Sequence, residues 1–302
     1  MKQKPNHPKI PRKDPKMRRA NIIEKDSKQI GTIEDLTSVF ESIASTKVAK
    51  VRGKVELSKE FFRLLWASYR FVKIDPKTHI TNRELNSNPK QVFIIVSAEG
   101  GLGGDIDHRL IETMLGDYDK KTTDIIVLGT HGATQLTQRN INFVHFFQVP
   151  DTDSYIDVSP VISAVNEYSK IFVYYEEYIS LSNQAIKRID LVATMRGLSE
   201  EQEYDNINLA ENTIFEPSVD QIAEQMEETM MSLVLSQSIL ESSLAQAASR
   251  FNAMAVAKKR ASELLGLYQL EYHRSKRADS DRRLREVMIS IKGKKKHAGG
   301  GA

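Results

Sequence analysis

A glycine-rich stretch, "EGGLGGDIDH" from residue 99 to residue 108, carries the residue types in this sequence that most resemble a site for chemistry. Clustered glycines can wrap backbone amides around a phosphate, but only at set spacings. Ile106 stands where a dinucleotide loop needs its third glycine, and no Lys followed by Ser or Thr completes a P-loop. The four glycines therefore favour a tight turn from a strand into a helix: Gly100, Gly101, Gly103 and Gly104.

Two other groups of polar residues are candidates for chemistry. Asp105 and His108 could bind a metal, although Asp105 as the N-cap of a following helix is the simpler interpretation. His131 follows an apolar run, a position where α/β proteins bind ligands, but no Ser and Asp arrangement completes a catalytic triad in the sequence. The chain has no cysteine, so thiol nucleophiles, thiolate metal sites and disulfides are excluded. We predict neither a catalytic residue nor a metal site.

Charge is strongly segregated along the 302 residues. Residues 1–28 hold ten Lys or Arg and three acids, residues 256–297 hold thirteen and five, and residues 197–249 hold eleven acids and no Lys or Arg. The basic ends are either solvated surface or binding sites for acidic partners, nucleic acid among them. No run of eighteen apolar residues occurs, so no membrane span is expected.

The elements that must position these residues begin with a long helix. Apolar residues recur at steps of three and four from Ile33 to Val55, which predicts a helix with one apolar seam that includes Phe40, Val48 and Val51. We assign residues 1–28 to a disordered basic extension and residues 29–75 to this helix, which ends before Pro76.

A second and longer helix occupies the C-terminal part of the chain. No proline follows Pro217, and a heptad pattern runs to Tyr272, so we assign residues 201–217 to an acidic connection, 218–292 to the helix and 293–302 to a flexible tail. A helix of this length needs a partner, and the N-terminal helix is the obvious one. The predicted seam on the C-terminal helix contains Leu240, Leu244, Phe251, Met254 and Tyr268.

In residues 76–200 the apolar residues are spaced differently. Short β-branched and aromatic runs such as "QVFIIVS", "DIIVLG", "FVHFFQV", "IFVYYEEY" and "RIDLVAT" alternate with two segments that look helical, one after Asp105 and one after Ser159. This pattern predicts an open α/β domain with a partly parallel sheet. The fold class is therefore α/β: a long antiparallel coiled coil of the N- and C-terminal helices, with an inserted open α/β (Rossmann-like) domain.

Several strings fall in the order and spacing of one known family. They are "LTSVFESIASTKVAKVR" from Leu36, "GGLGGDIDHRLI", "FEPSVDQIAEQM" from Phe215, "LxES" at Leu240, "AxRxxAM" at Ala248 and "QLxY" at Gln269. With this architecture, the chain from Ile30 to Met288 resembles the gamma subunit of F-type ATP synthases, the central rotor shaft. Gly103 stands where that family often has cysteine. Lys258, Lys259 and Arg260 replace a small polar stretch, so the resemblance is to a divergent member.

The resemblance implies a non-catalytic subunit that couples rotation to ATP synthesis or hydrolysis. It implies three α and three β subunits, an epsilon-type subunit and a ring of c subunits as partners, with no direct nucleic-acid contact and with membrane contact only through the c ring. ATP, ADP and Mg would bind to partner subunits, so no cofactor is expected on this chain. The expected location is peripheral, at the cytoplasmic face of a bacterial plasma membrane.

Charged and polar positions on the two helices are the candidate rotor contacts. Those that lie off the seam could meet acidic loops of a surrounding ring: Lys47, Arg52, Arg250, Lys258, Lys259 and Arg260. By resemblance, Gln269, Lys276 and Arg277 lie where loops of the catalytic subunits grip the shaft.

Three other interpretations stay open from the sequence. The chain could be the rotor of a divergent, hydrolysis-only ATPase of similar design. It could instead be a free-standing coiled coil whose basic ends bind nucleic acid, or an enzyme acting on a small molecule at the α/β domain.

Overall fold

One long helix precedes an α/β domain in the sequence and a second long helix follows it, which confirms the predicted fold class. The computed structural model describes residues 20–71, 88–150, 156–197 and 219–298 of the 302. Its elements are α1 (Ala20–Phe71), β1 (Asn88–Val96), α2 (Ile106–Asp117), β2 (Thr123–Leu128), α3 (Thr130–Gln138), β3 (His145–Phe147), α4 (Ser159–Val165), β4 (Tyr168–Ser180), β5 (Asn183–Asp190), α5 (Leu191–Gly197) and α6 (Val219–Ala298).

The five strands form one sheet in the order β3-β2-β1-β4-β5. The first four strands are mutually parallel, with Ile94 opposite Ile126 on β2 and Val173 on β4, whereas β5 runs antiparallel to β4. Parallel strands covered on both faces read as continuous apolar runs, and this is why the sequence indicated them. The last of the predicted runs divides, because β5 ends at Asp190 and Leu191 begins α5.

Each face of the sheet carries its own core. On one face α2 and α3 cover the sheet, with Phe93, Ile95 and Tyr174 among the buried residues. On the other face α4 and α6 cover it. The buried residues that α6 contributes are Met230, Met231, Val234, Leu235 and Ile239. In this stretch α6 is therefore a core helix of the α/β domain.

The chain divides into two compact units. One unit contains the start of α1, up to Ser38, and α6 from Ala255 onward; the other runs from Val39 to Met254. In the first unit Ile23, Thr37, Ala261 and Ser275 are buried, whereas every side chain from 280 to 291 is exposed.

Helices α1 and α6 extend into both of the segments that we predicted to be disordered. Residues 20–28 belong to α1, because the prolines of the basic extension end at Pro15 and Ile23 is fully buried. Residues 293–298 belong to α6, since a single glycine costs a helix only about 1 kcal/mol and the lysines that follow are good helix formers near a C-terminus. The boundary before Pro76 and the acidic connection 201–217 lie outside the described residues.

Most of the large apolar residues predicted for the seam in the first part of α1 are exposed. Ile33 and Leu36 are about half exposed, as is Ile43, and Phe40 is 37% exposed, whereas Thr37 and Ala44 are buried. The buried stripe is thus displaced by one residue from the most apolar stripe. Of the predicted seam positions in this part of α1, Ala44 is the one that is buried, because its small side chain allows close packing.

Within the described ranges, none of the helices combines the length and the apolar character that crossing a membrane requires.

Candidate functional site

The glycine loop leaves the carboxyl end of β1 and packs against α6. Gly104 has a φ of +76°, and a Cβ atom there would lie 3.6 Å from the Ser249 hydroxyl oxygen. Ser249 donates a hydrogen bond to the Gly103 carbonyl at 2.6 Å, and the Arg250 guanidinium donates to the Gly100 carbonyl at 3.3 Å. The amino-acid preference at Gly104 therefore follows from its backbone conformation and its closeness to a helix.

Asp107, rather than Asp105, makes the structural contacts at the start of α2. Asp105 occupies the N-cap position, but its side chain forms no capping hydrogen bond. The buried carboxylate of Asp107 accepts a hydrogen bond from the Ala98 amide at 2.9 Å, and its other oxygen lies 2.8 Å from His131 Nδ1. This pair joins the ends of β1 and β2 through the loops that follow them.

An Asp–His pair could be two-thirds of a hydrolytic triad, so the nearest serine matters. Ser97 is fully buried, its hydroxyl donates to the Leu128 carbonyl at 2.8 Å, and it accepts from the Gly132 amide at 3.0 Å. Its hydrogen-bonding capacity is used by the backbone, so it is not placed as a nucleophile. Across the described ranges, no group of three or more His, Asp or Glu is arranged to hold a metal ion.

A buried polar cluster joins the end of β4 to α6. Glu176 is fully buried, and its Oε2 contacts the hydroxyl of Ser242 and the amide nitrogen of Gln246, the latter at 3.1 Å. Burial, together with the nearby negative charge of Asp107, raises the pKa of Glu176 to about 8. The sequence reasoning did not identify Glu176. The available signal was its position, two residues after Tyr174, on a face where strand alternation requires a buried residue.

Beside this cluster lies an open cleft of about 530 Å³. Polar groups at its rim include Glu99, whose carboxylate is engaged by the Val149 amide and the Thr130 hydroxyl, both at 2.5 Å. Lys47 and Arg250 give the cleft a basic side, and apolar residues form most of the remaining wall: Phe40, Ile43, Leu102, Val149, Pro150 and Ala247. Its chemistry suits a segment that presents acidic and apolar side chains together.

The structure brings some of the candidate rotor contacts together. Lys47 and Arg250 line the same cleft, and Arg52 is exposed beside Glu56, with the two charged groups 3.6 Å apart. In the unit that contains the end of α6, Lys258 is half-buried, and the Lys276 ammonium lies 5.8 Å from the centre of the Tyr272 ring. The remaining candidates of that unit are exposed: Lys259, Arg260, Gln269, Lys276 and Arg277. A partner contact at any of these positions stays a prediction.

The predicted seam residues differ in burial. Val51, Leu240 and Leu244 share one buried cluster with Val55, and Val48 packs against it. Met254 is buried. Phe251 and Tyr268 are half-buried in their respective units.

This fold consists of a helical shaft whose C-terminal helix also forms part of the core of an α/β domain, and its polar cluster is structural. Comparison with known proteins identifies the family. A sequence model of the family described as ATP synthase matches residues 20–291. The chain therefore belongs to the ATP synthase gamma family, as the resemblance predicted.

Curated relatives and solved structures agree with this assignment. The chain is 24% identical over 282 residues to the ATP synthase gamma chain of Mycoplasmoides gallisepticum, covering 88% of this chain and 96% of the relative. It is 24% identical over 281 residues to that of Clostridium novyi, covering 88% and 95%. The rotor of the Euglena gracilis mitochondrial ATP synthase has a similar fold, with a TM-score of 0.61 at 10% identity, covering 86% of this chain and 98% of that one. A central-stalk structure from Tetrahymena thermophila gives a TM-score of 0.51 at 13% identity, covering 74% and 99%.

Proposed function

We propose that this chain is the central rotor subunit of a rotary F-type ATP synthase or ATPase. It couples rotation to ATP synthesis or hydrolysis in a surrounding ring of three α and three β subunits. Family membership over nearly the whole chain supports this function, and one structural observation is its main support. Every described side chain of α6 from 280 to 291 is exposed, including several large apolar ones: Leu284, Val287, Met288, Ile289 and Ile291.

Such a surface requires a protein environment around it. Apolar side chains on an exposed helix are normally covered by a partner. Here basic residues flank them, with Arg283 and Arg285 on either side of Leu284 and Lys292 after Ile291. A surrounding ring that offers apolar and acidic groups would cover them while the contacts stay exchangeable. Weak, solvent-screened charge contacts suit a rotor, because a tightly paired buried ion pair would hold it at one angle.

The chain itself performs no bond chemistry in this proposal. Its asymmetric surfaces bias three otherwise identical catalytic sites in turn, and ATP, ADP and Mg bind to the partner subunits. The α/β domain would face an epsilon-type subunit and the ring of c subunits. The similar solved structures are of a rotor, an F1 with a c-ring, and a central stalk with a c-ring.

The chain's location would follow from that assembly. Membrane attachment would be peripheral and indirect, through the c ring, at the cytoplasmic face of a bacterial plasma membrane. The bacterial origin of the curated relatives supports this location over an organelle.

Co-purification tests the proposal. An affinity-tagged chain purified under mild conditions is expected to bring down a hexamer of two kinds of nucleotide-binding subunit that hydrolyses ATP. Isolation of the chain without such a hexamer, or with nucleic acid in its place, would reject a rotor. A captured complex that hydrolyses ATP but never moves protons into reconstituted vesicles would identify the hydrolysis-only alternative, which the basic residues at Lys258, Lys259 and Arg260 leave open.

The cleft provides a second prediction. Reversing both basic residues, Lys47→Glu with Arg250→Glu, is expected to lower ATP hydrolysis by the assembled complex about fivefold, because each exposed charge contact contributes up to about 1 kcal/mol. The matched control is Lys120→Glu with Lys121→Glu, on an exposed turn between α2 and β2. We would compare the steady-state ATP hydrolysis rates of the two variant complexes at low and high salt. Equal rates for the two complexes would mean that the cleft is not part of the surface that contacts a partner.

A further inference from the structure

The contact between β4 and α6 contains one hydroxyl group with two neighbouring acceptors. The Ser242 oxygen lies 3.2 Å from the Val96 carbonyl oxygen, and it also makes a short contact with Oε2 of Glu176. The Gln246 amide nitrogen lies 3.0 Å from the Ser242 oxygen and 3.1 Å from the same Glu176 oxygen. The Ser242 and Glu176 side chains are buried where β4 passes the end of β1 against α6, and Gln246 is part-buried beside them.

The hydrogen-bond pattern around Glu176 requires its carboxyl group to be protonated. A serine hydroxyl carries one proton, so it can donate to Val96 or to Glu176, but not to both. With Glu176 ionised, one of the two close oxygen–oxygen contacts would lack a proton and would be repulsive. With a proton on Oε2, Glu176 donates to Ser242, Ser242 donates to Val96, and the two amide protons of Gln246 go to the two side-chain oxygens. Each short contact then contains one hydrogen.

The described residues around Glu176 supply no compensating positive charge. From α2 the Asp107 carboxylate faces it, and the His131 ring of α3 is bonded to Asp107 rather than to Glu176. From α6 it meets the neutral side chains of Ser242 and Gln246, and its other oxygen, Oε1, has no hydrogen-bond partner. Within the described ranges no lysine or arginine pairs with Glu176. A buried carboxylate in this position would be an unpaired charge, which is costly.

We propose that Glu176 is a proton-binding site, and that its carboxylic acid fastens α6 to the carboxyl ends of β1 and β4 by donating to Ser242. Gln246 also lines the adjacent cleft, so the site lies one side chain from a surface through which a proton can exchange. Loss of that proton places a second negative charge beside Asp107 and makes the contact with Ser242 and Val96 unsatisfiable. The inference does not depend on the proposed rotor function, because it concerns only the packing of this chain.

The sign of the pH dependence follows from the pKa of Glu176, which folding raises from 4.5 to about 8. Between these two values the folded chain holds a proton that the unfolded chain has lost. The contribution of Glu176 to the free energy of unfolding is therefore fully present below pH 4.5. It decreases as the pH rises and stops decreasing above about pH 8.

Thermal unfolding of the full chain between pH 6 and pH 9 tests the proposal, with Glu176→Gln as the central variant. Glutamine has the shape of the protonated acid and can donate to Ser242, but it cannot ionise. Its NH2 group cannot accept the hydrogen bond from Gln246, a loss that is the same at every pH. We expect the melting temperature of the unmodified chain to fall by about 5 to 10 °C across this range relative to that of Glu176→Gln. The variant is then at least as stable as the parent at pH 9. The matched control is Glu177→Gln, which removes a part-exposed carboxylate 2.6 Å from the Lys187 ammonium and should leave the parent's pH profile unchanged.

A direct measurement of the proton accompanies the unfolding series. The infrared carbonyl band of a protonated carboxylic acid is expected in the parent at pH 7 and should be missing from Glu176→Gln. Either of two results would overturn the proposal: parallel pH profiles for the parent and Glu176→Gln, or no such band in the folded parent. A variant less stable than the parent by the same amount at every pH is one form of the first result, and it too would mean that Glu176 releases no proton in this range.

Discussion

Replacing Gly129 by alanine is expected to destabilise the Val39–Met254 unit more than any other single methyl group added to a glycine in the described residues. Gly129 follows β2 with a φ of +100°, and a Cβ atom there would lie 2.3 Å from the Ser97 carbonyl oxygen. The collision involves backbone, and the Gly129 amide also donates to the Phe147 carbonyl at 3.0 Å, so neither side can yield without separating strands. Backbone strain and overpacking together give about 3 to 5 kcal/mol. Thermal unfolding should show the melting temperature lowered by roughly 10 °C.

Gly116→Ala is the matched control for that substitution. Gly116 lies in α2, no atom would approach its added Cβ within 4 Å, and its φ is not in the left-handed region. Alanine there should be neutral or stabilising by about 0.5 kcal/mol. Similar losses for both variants would show that the positive φ and the contact with Ser97 are not what require glycine at 129.

The sheet was the most predictable part of this molecule, because parallel strands buried on both faces leave a strong signal in the sequence. The runs around Ile94, Ile126 and Val173 were each found. Helix α3 was missed, since it is short and its sequence, "THGATQLTQ", contains only one large apolar residue. Its start is set by Gly129 and Ser97, a long-range contact that periodicity cannot reveal.

The exposed stripe on α1 illustrates a different limit. The sequence placed Phe40 and Ile43 in one apolar stripe with Ala44, but of these three only Ala44 is buried. Periodicity identifies such a stripe but not the partner that covers it. Close helix packing selects small residues such as Ala44, while the large side chains stay available for other proteins. In a subunit of a larger assembly, apolar patterning therefore reports the surface of the complex as well as the core of the chain.

The buried polar cluster could not be predicted for a related reason. Asp107 and Glu176 are far apart in sequence and look like ordinary surface acids. They become neighbours only when α2 is placed over the sheet, and Ser242 joins them only when α6 crosses the strand ends. Charged residues in a core are exceptions to burial preferences, so composition and periodicity do not anticipate them.

Leu235→Asp is expected to detach α6 from the sheet and, with it, to abolish rotor function. Leu235 is fully buried in the core that α6 shares with β1, β2 and β4. An aspartate there loses the packing of leucine and places an unpaired charge in that core, at a cost of about 4 kcal/mol or more. Torque can pass between helix and α/β domain only while this core is intact. The variant should therefore show a melting temperature lower by roughly 10 °C and, where a complex still assembles, ATP hydrolysis uncoupled from proton movement.

Leu267→Asp supplies the matched comparison on the same helix. Leu267 is 55% exposed in the unit that contains the end of α6, so the same substitution should change the melting temperature of the isolated chain by less than about 2 °C. Because the two variants share chemistry and helix, a difference between them isolates burial against the sheet. A stable, fully coupled Leu235→Asp complex would mean that the α6 core does not carry torque. The fastening of the shaft to the domain would then have to reside in the loop contacts of Ser249 and Arg250.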